Sequence, residues 1–159
     1  MASRVLDLYR RLAPGPFGRW LFSTLVCWKA PYFSSISPRI VDLQPGRGEA
    51  TIAHRRRVTN HLGTVHAIAL CNLAEFIGGL TTDASLPAGM RWIPRGMQVE
   101  YLKKAVGRMR AVATPAFAPH VAEAGYELPM DVEITDPSGT AVFRARIAMW
   151  ISPHPPGRP

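Results

Sequence analysis

This chain is short of the features that would place it in several large classes. Among its 159 residues there are only two cysteines, Cys27 and Cys71, each inside an apolar stretch with helical spacing. That excludes a disulfide-stapled framework and fits a reducing, cytoplasmic setting. Long hydrophobic runs are also missing: the longest near the N-terminus, Trp20 to Trp28, is too short to span a bilayer and is interrupted by Ser23 and Thr24. No stable membrane insertion is expected. Residues 1–30 carry no small-residue cleavage pattern behind an apolar core, so no secretory signal is expected either. There is no internal repeat and no low-complexity segment apart from a proline-rich tail, His154–Pro159, read as frayed. A serine nucleophile is not expected, because no G-x-S-x-G elbow occurs. His61 and His66 lack a further Cys or carboxylate at ligand spacing, so no metal site is expected.

Acidic residues are scarce as well. Eleven Asp and Glu against 19 Lys and Arg leave a formal charge of +8, which favours an anionic partner such as nucleic acid, a membrane surface or a polyphosphate ligand. The basic clusters are Arg55-Arg56-Arg57 and Lys103-Lys104 with Arg108 and Arg110. Aromatic residues do not alternate with them, as single-strand binding would require, so nucleic acid is not the expected partner.

What is present is a single globular domain: 47% hydrophobic residues with 19% charged ones are enough for a substantial core. Two helical segments are expected first. Val5, Leu8, Tyr9 and Leu12 form one stripe, closed by Pro14-Gly15-Pro16. Phe17, Trp20, Leu21, Leu25 and Trp28 form a second, closed by Pro31. The second helix reads as a lid or flank packed on the body of the domain, the alternative being a helix lying on a membrane surface. Residues 1–35 are thus a helical flank, 36–153 the main domain and 154–159 the tail.

In the main domain, strands are expected at Arg39–Leu43 and Gly48–Arg55, joined by the turn signal Gln44-Pro45-Gly46-Arg47. A loop is expected over Thr82–Gly96, followed by strand patterns at Met97–Tyr101, Arg108–Thr114, Glu127–Thr135 and Ala141–Ile151. Folding the last two about Pro137 and Ser138 pairs Ile134 with Ala141, Val132 with Phe143, Met130 with Ala145 and Leu128 with Ile147, with Asp131 opposite Arg144. The sum is an α+β architecture: an antiparallel sheet of about six strands curved round one buried helix.

That helix is the most informative stretch. From Gly63 to Leu80 the chain is apolar on nearly every face and carries a single acid, Glu75. A helix apolar all round is usually buried, and a carboxylate inside it is costly to desolvate; such residues are more often functional than accidental. Its start leaves backbone N–H groups without intrahelical partners, and its dipole favours negative charge there. The Ala67 N–H is the candidate donor to an oxyanion.

With Asn60, Gly63, His66 and Glu75 in the pattern N-x-x-G-x-x-H-x8-E, Pro45-Gly46 before it and Val99-Glu100-Tyr101-Leu102 after it, the chain from about Arg39 to Ile151 resembles the hotdog-fold acyl-CoA thioesterases of the phenylacetate-pathway and 4-hydroxybenzoyl-CoA type. The resemblance implies a hotdog fold, a homodimer or homotetramer, and hydrolysis of an acyl-CoA thioester, with coenzyme A as part of the substrate and no other cofactor. It implies Glu75 as general base or nucleophile and the backbone N–H after His66, that of Ala67, as polariser of the thioester carbonyl. Asn60 would orient the attacking water or hold the acid, and His66 would bond backbone or the thioester side of the substrate. Gly63 would border the substrate, and Lys103, Lys104 and Arg108 are candidates for holding the coenzyme A phosphates. Many relatives have Gly-Gly where this chain has Ala67-Ile68, and some have Ser or Thr where it has Gly79. These departures keep open an alternative: an acyl-CoA or fatty-acyl binding protein without turnover.

Overall fold

The computed structural model describes residues 3–154. Two helices, α1 (Arg4–Leu12) and α2 (Pro16–Lys29), precede strands β1 (Arg39–Gln44) and β2 (Arg47–Ile52). The long helix α3 (Ala67–Ser85) follows, then β3 (Met90–Tyr101), β4 (Met109–Pro115), β5 (Tyr126–Thr135) and β6 (Ala141–Pro153). The six strands form one antiparallel sheet in the order β1-β2-β4-β5-β6-β3, and α3 lies across it. This is the α+β hotdog architecture that the pattern implied.

The contact between helix and sheet is close because small residues line it. Gly48 of β2 sits directly under α3, where an added Cβ would overlap Thr81 Oγ1 and approach Ile77 Cδ1 to 2.9 Å. Gly78 meets Ile147, and Gly79 meets the Trp92 ring, in the same way. Around these approaches Leu73, Phe76 and Ile77 belong to one buried core with Ala111, Met130, Ile134, Ile147 and Met149.

Three expectations need correction. The span Thr82–Gly96 is not a loop: α3 runs to Ser85 and β3 begins at Met90. Pro94 is accommodated within β3 because β3 is an edge strand with a bulge between Pro94 and Gly96, and an edge tolerates a residue without an N–H. The β5–β6 hairpin keeps the expected faces but pairs two residues further along, Ile134 with Phe143 and Asp131 with Arg146. The turn explains the shift. Asp136 Oδ1 accepts the N–H groups of Ser138 and Thr140, widening the loop, and a bulge follows at Ile134/Thr135. On the outer face the pairing yields ion pairs Arg146–Asp131 (2.7 Å) and Arg144–Glu133 (3.0 Å).

The third correction concerns α2. Its stripe Phe17, Trp20, Leu25 and Trp28 faces outward; Phe22 and Ser23 are the buried residues. Ser23 Oγ accepts the Ile40 N–H (2.9 Å), and the Phe22 ring meets Tyr9 of α1 edge-on, so this smaller surface fastens the flank to β1.

Candidate active site at the start of the central helix

The loop that delivers the chain into α3 is built by Asn60. Its Oδ1 accepts the N–H groups of Leu62 (2.9 Å) and Thr64 (3.2 Å), while its Nδ2 donates to Thr64 Oγ1 (2.9 Å). Gly63 takes φ +73° in this loop, the left-handed region that glycine enters at no steric cost. The Asn60 side chain is therefore turned into its own loop, and Glu75 is not among its partners.

His66 caps the helix. Its φ/ψ of −64°/139° is extended, and its Nδ1 accepts the Ile68 N–H at 3.0 Å. The Ala67 N–H is left over: among the described residues no acceptor takes it. A shallow cleft of about 190 Å³ opens beside this helix start, with Tyr32, Arg57, Thr59, His66, Ile68 and Asn72 in its wall.

Glu75 does not lie in that cleft. It was expected inside an all-buried helix, yet in the single chain it is exposed. The reason is geometric. Ile68, Cys71 and Glu75, at helical spacings of three and four, share one face of α3, and this chain's own sheet leaves that stripe open. Ile68 is 54% exposed there. At the border of the stripe the Tyr101 hydroxyl lies 3.6 Å from Cys71 Sγ, a contact that, with some burial, pushes the tyrosine's pKa up.

The basic candidates come to the same end of the helix. The Val65 N–H donates to Ala105 O (2.8 Å), which stitches the loop carrying Lys103, Lys104 and Arg108 beside the helix start. All three side chains are exposed.

Two residues here escaped the sequence reading. His54 bridges the two loops: its Nε2 bonds Gly63 O (3.0 Å), and its Nδ1 accepts the Gly107 N–H (2.9 Å). Nothing local marks it, because Gly107 is 53 residues away. Asn72 is buried in α3 and donates to Ser35 Oγ (3.1 Å). A lone amide in an apolar helix is the same signal that drew attention to Glu75.

An antiparallel sheet curved round one long helix, with an open backbone donor at that helix's N-terminus, defines a hotdog protein. Within that class the chain belongs to the DUF4442 family, a domain of unknown function whose model matches residues 18–151. A structural-genomics crystal structure with no stated activity is 46% identical, covering 94% of this chain and 98% of its own, with a TM-score of 0.80. A thioesterase from Haemophilus influenzae is 20% identical over 77% of this chain and 82% of its own (TM-score 0.66). A probable thioesterase from Pseudomonas aeruginosa is 22% identical over 82% of this chain and 92% of its own (TM-score 0.71). The last two are similar in fold. No curated protein matches the sequence.

Proposed function

We propose that this protein hydrolyses an acyl-CoA thioester and that its sites are completed between two copies of the chain. The observation that carries the proposal is the unpaired Ala67 N–H at the tip of a buried helix whose only open stripe presents Glu75. Thioesterases with the same fold support it.

In this reading the thioester carbonyl oxygen rests on the Ala67 N–H, in the field of the α3 N-terminus. Glu75 takes a proton from water as the water oxygen attacks the carbonyl carbon. The tetrahedral intermediate then expels the sulfur, the carbon–sulfur bond breaks, and the proton goes to the departing coenzyme A thiolate. Glu75 as nucleophile, through an acyl-glutamate anhydride that water opens, gives the same products. Asn60 and His54 hold the loops that frame the site, and Lys103, Lys104 and Arg108 meet the phosphates of coenzyme A.

Two copies are required by helix geometry. Glu75 is nine residues beyond His66, which at roughly 1.5 Å and 100° per residue puts it about 13 Å along the axis and half a turn round it. One helix does not bring both groups to one carbon. β3 offers the means of pairing: it is a sheet edge of 12 residues, with Tyr101 exposed at the border of the open stripe of α3.

A second reading, an acyl-CoA binding protein without turnover, is favoured by one observation: Ile68 projects beside the donor where a smaller residue would leave more room. Free-thiol detection over a panel of short, long and aromatic acyl-CoAs, beside a binding measurement on the same panel, separates the two. Thiol release that falls at least about a hundredfold in Glu75→Gln supports hydrolysis. Binding without release supports the second reading.

A further inference from the structure

The helical flank presents its apolar side to solvent. At roughly 100° per residue, Phe17, Trp20, Leu21, Leu25 and Trp28 of α2 fall within an arc of about 140°, in which Thr24 is the only polar residue. Phe17 is 72% exposed and Trp28 83%. Leu8 of α1 extends the patch, and an open apolar groove of about 290 Å³ runs between the two helices past Val5, Leu8, Leu25 and Trp28. A patch of this kind on an otherwise well-packed chain marks a surface that meets something apolar.

The surrounding charge says what kind of surface that is. Residues 3–39 hold six basic side chains, Arg4, Arg10, Arg11, Arg19, Lys29 and Arg39, against one acid, Asp7. Residues 3–39 therefore carry five of the chain's eight net positive charges, and Asp83 of α3 is an acid that faces Lys29 from the body of the domain. The Arg39 guanidinium sits 5.6 Å over the Trp20 ring, and Arg4 and Lys29 border the apolar groove, so cations and aromatic rings are interleaved. A second copy docked face to face would set this positive field against itself. A nucleic acid would satisfy the charges and leave Phe17, Leu25 and Trp28 in water. An anionic lipid surface satisfies both, with apolar side chains entering the acyl boundary and basic ones at the headgroups.

We propose that α1 and α2 dock this protein on anionic bilayers, lying in the interface without crossing it. No helix among the described residues is long and apolar enough to cross a membrane. The docking face is fastened through Phe22, Ser23 and Tyr9 to β1, the sheet edge opposite β3, so docking and pairing use different edges.

The test is flotation of the full-length protein with vesicles of phosphatidylcholine containing about 30% phosphatidylglycerol, against pure phosphatidylcholine, with tryptophan emission read in parallel. Wild type is expected to float with the anionic vesicles, to shift its emission to the blue, and to release in about 1 M salt. Phe17→Ser/Trp28→Ser removes two exposed rings and should weaken binding at least about tenfold, circular dichroism confirming that the fold is kept. Arg10→Glu/Arg11→Glu should weaken binding to the anionic vesicles alone. Failure of wild type to float overturns the proposal. So does undiminished flotation of the Phe17/Trp28 variant. If that variant instead changes the oligomeric state in sedimentation, a second copy covers this face and the proposal is wrong.

Discussion

Co-refolding a Glu75→Gln chain with an Ala67→Pro chain in equal amounts is expected to restore about one quarter of the wild-type sites. Alone, each variant is nearly inactive. Glu75→Gln should lose at least about a hundredfold, and Ala67→Pro, which deletes the proposed oxyanion donor, about a hundred- to a thousandfold. The proline should fold. Position 67 is the first residue of α3, where proline is well accommodated, and the N–H it removes has no protein acceptor. His66 already holds the extended backbone, φ −64° and ψ 139°, that a residue before proline requires. In a random mixture half of the dimers are mixed. One site of each mixed dimer receives both lesions and the other receives neither. Half of the sites in half of the dimers gives the quarter. Two affinity tags and tandem purification raise the expected value to half. Thiol release is the assay, with circular dichroism on each parent. If tandem-purified mixed dimers are no more active than the better parent, Glu75 and Ala67 do not meet across an interface, and the helix-geometry argument fails.

Other outcomes follow from the packing and the charges. Gly48→Val should destabilise by about 2–4 kcal/mol, because the new side chain overlaps Thr81 and Ile77 where β2 crosses α3; thermal melts read this directly. Replacing His54 by alanine removes the bonds to Gly63 and Gly107 and should raise KM for acyl-CoA more than it lowers kcat, since the Lys103–Arg108 loop loses its tie to the helix start. Burial pushes the Glu49 carboxyl up, but the bidentate Arg110 bonds (2.7 Å each) and the Arg47 bond (2.8 Å) outweigh it and hold its pKa below the ordinary value of 4.5. Its contribution to stability is therefore full above that value and is lost as pH falls through the depressed one; Glu49→Gln should flatten acid unfolding in that window. Asp83 has the opposite sign. Burial in the last turn of α3 raises its pKa, so stability declines as pH rises from 3.8 through the raised value, a decline that Asp83→Asn should abolish.

The parts of this molecule that were legible in the sequence are those whose cause is local. Alternation in Glu127–Thr135 and Ala141–Ile151 fixed which faces meet, and the apolar run from Gly63 to Leu80 marked the central helix, although α3 begins only at Ala67 and continues to Ser85. What stayed hidden depends on chain elsewhere. The hairpin register turned on the Asp136 side chain widening its own turn. The exposure of Glu75 turned on how far the sheet wraps, a property of all six strands. The orientation of α2 is the instructive case: its strongest apolar stripe is the one left outside, because the body of the domain selects Phe22 with Ser23, whose hydroxyl meets the β1 backbone. Periodicity identifies an apolar face; it does not say whether that face meets protein.

The cap at His66 limits what that ring can do. Its Nδ1 lone pair is committed to the Ile68 N–H, so the neutral imidazole carries its proton on Nε2. Toward the cleft its Nε2–H is a donor, and the neutral ring has no free lone pair with which to accept a hydrogen bond there. A ring turned to free Nδ1 would leave the Ile68 N–H without its cap, so the orientation of His66 and the first turn of the central helix are tied to each other.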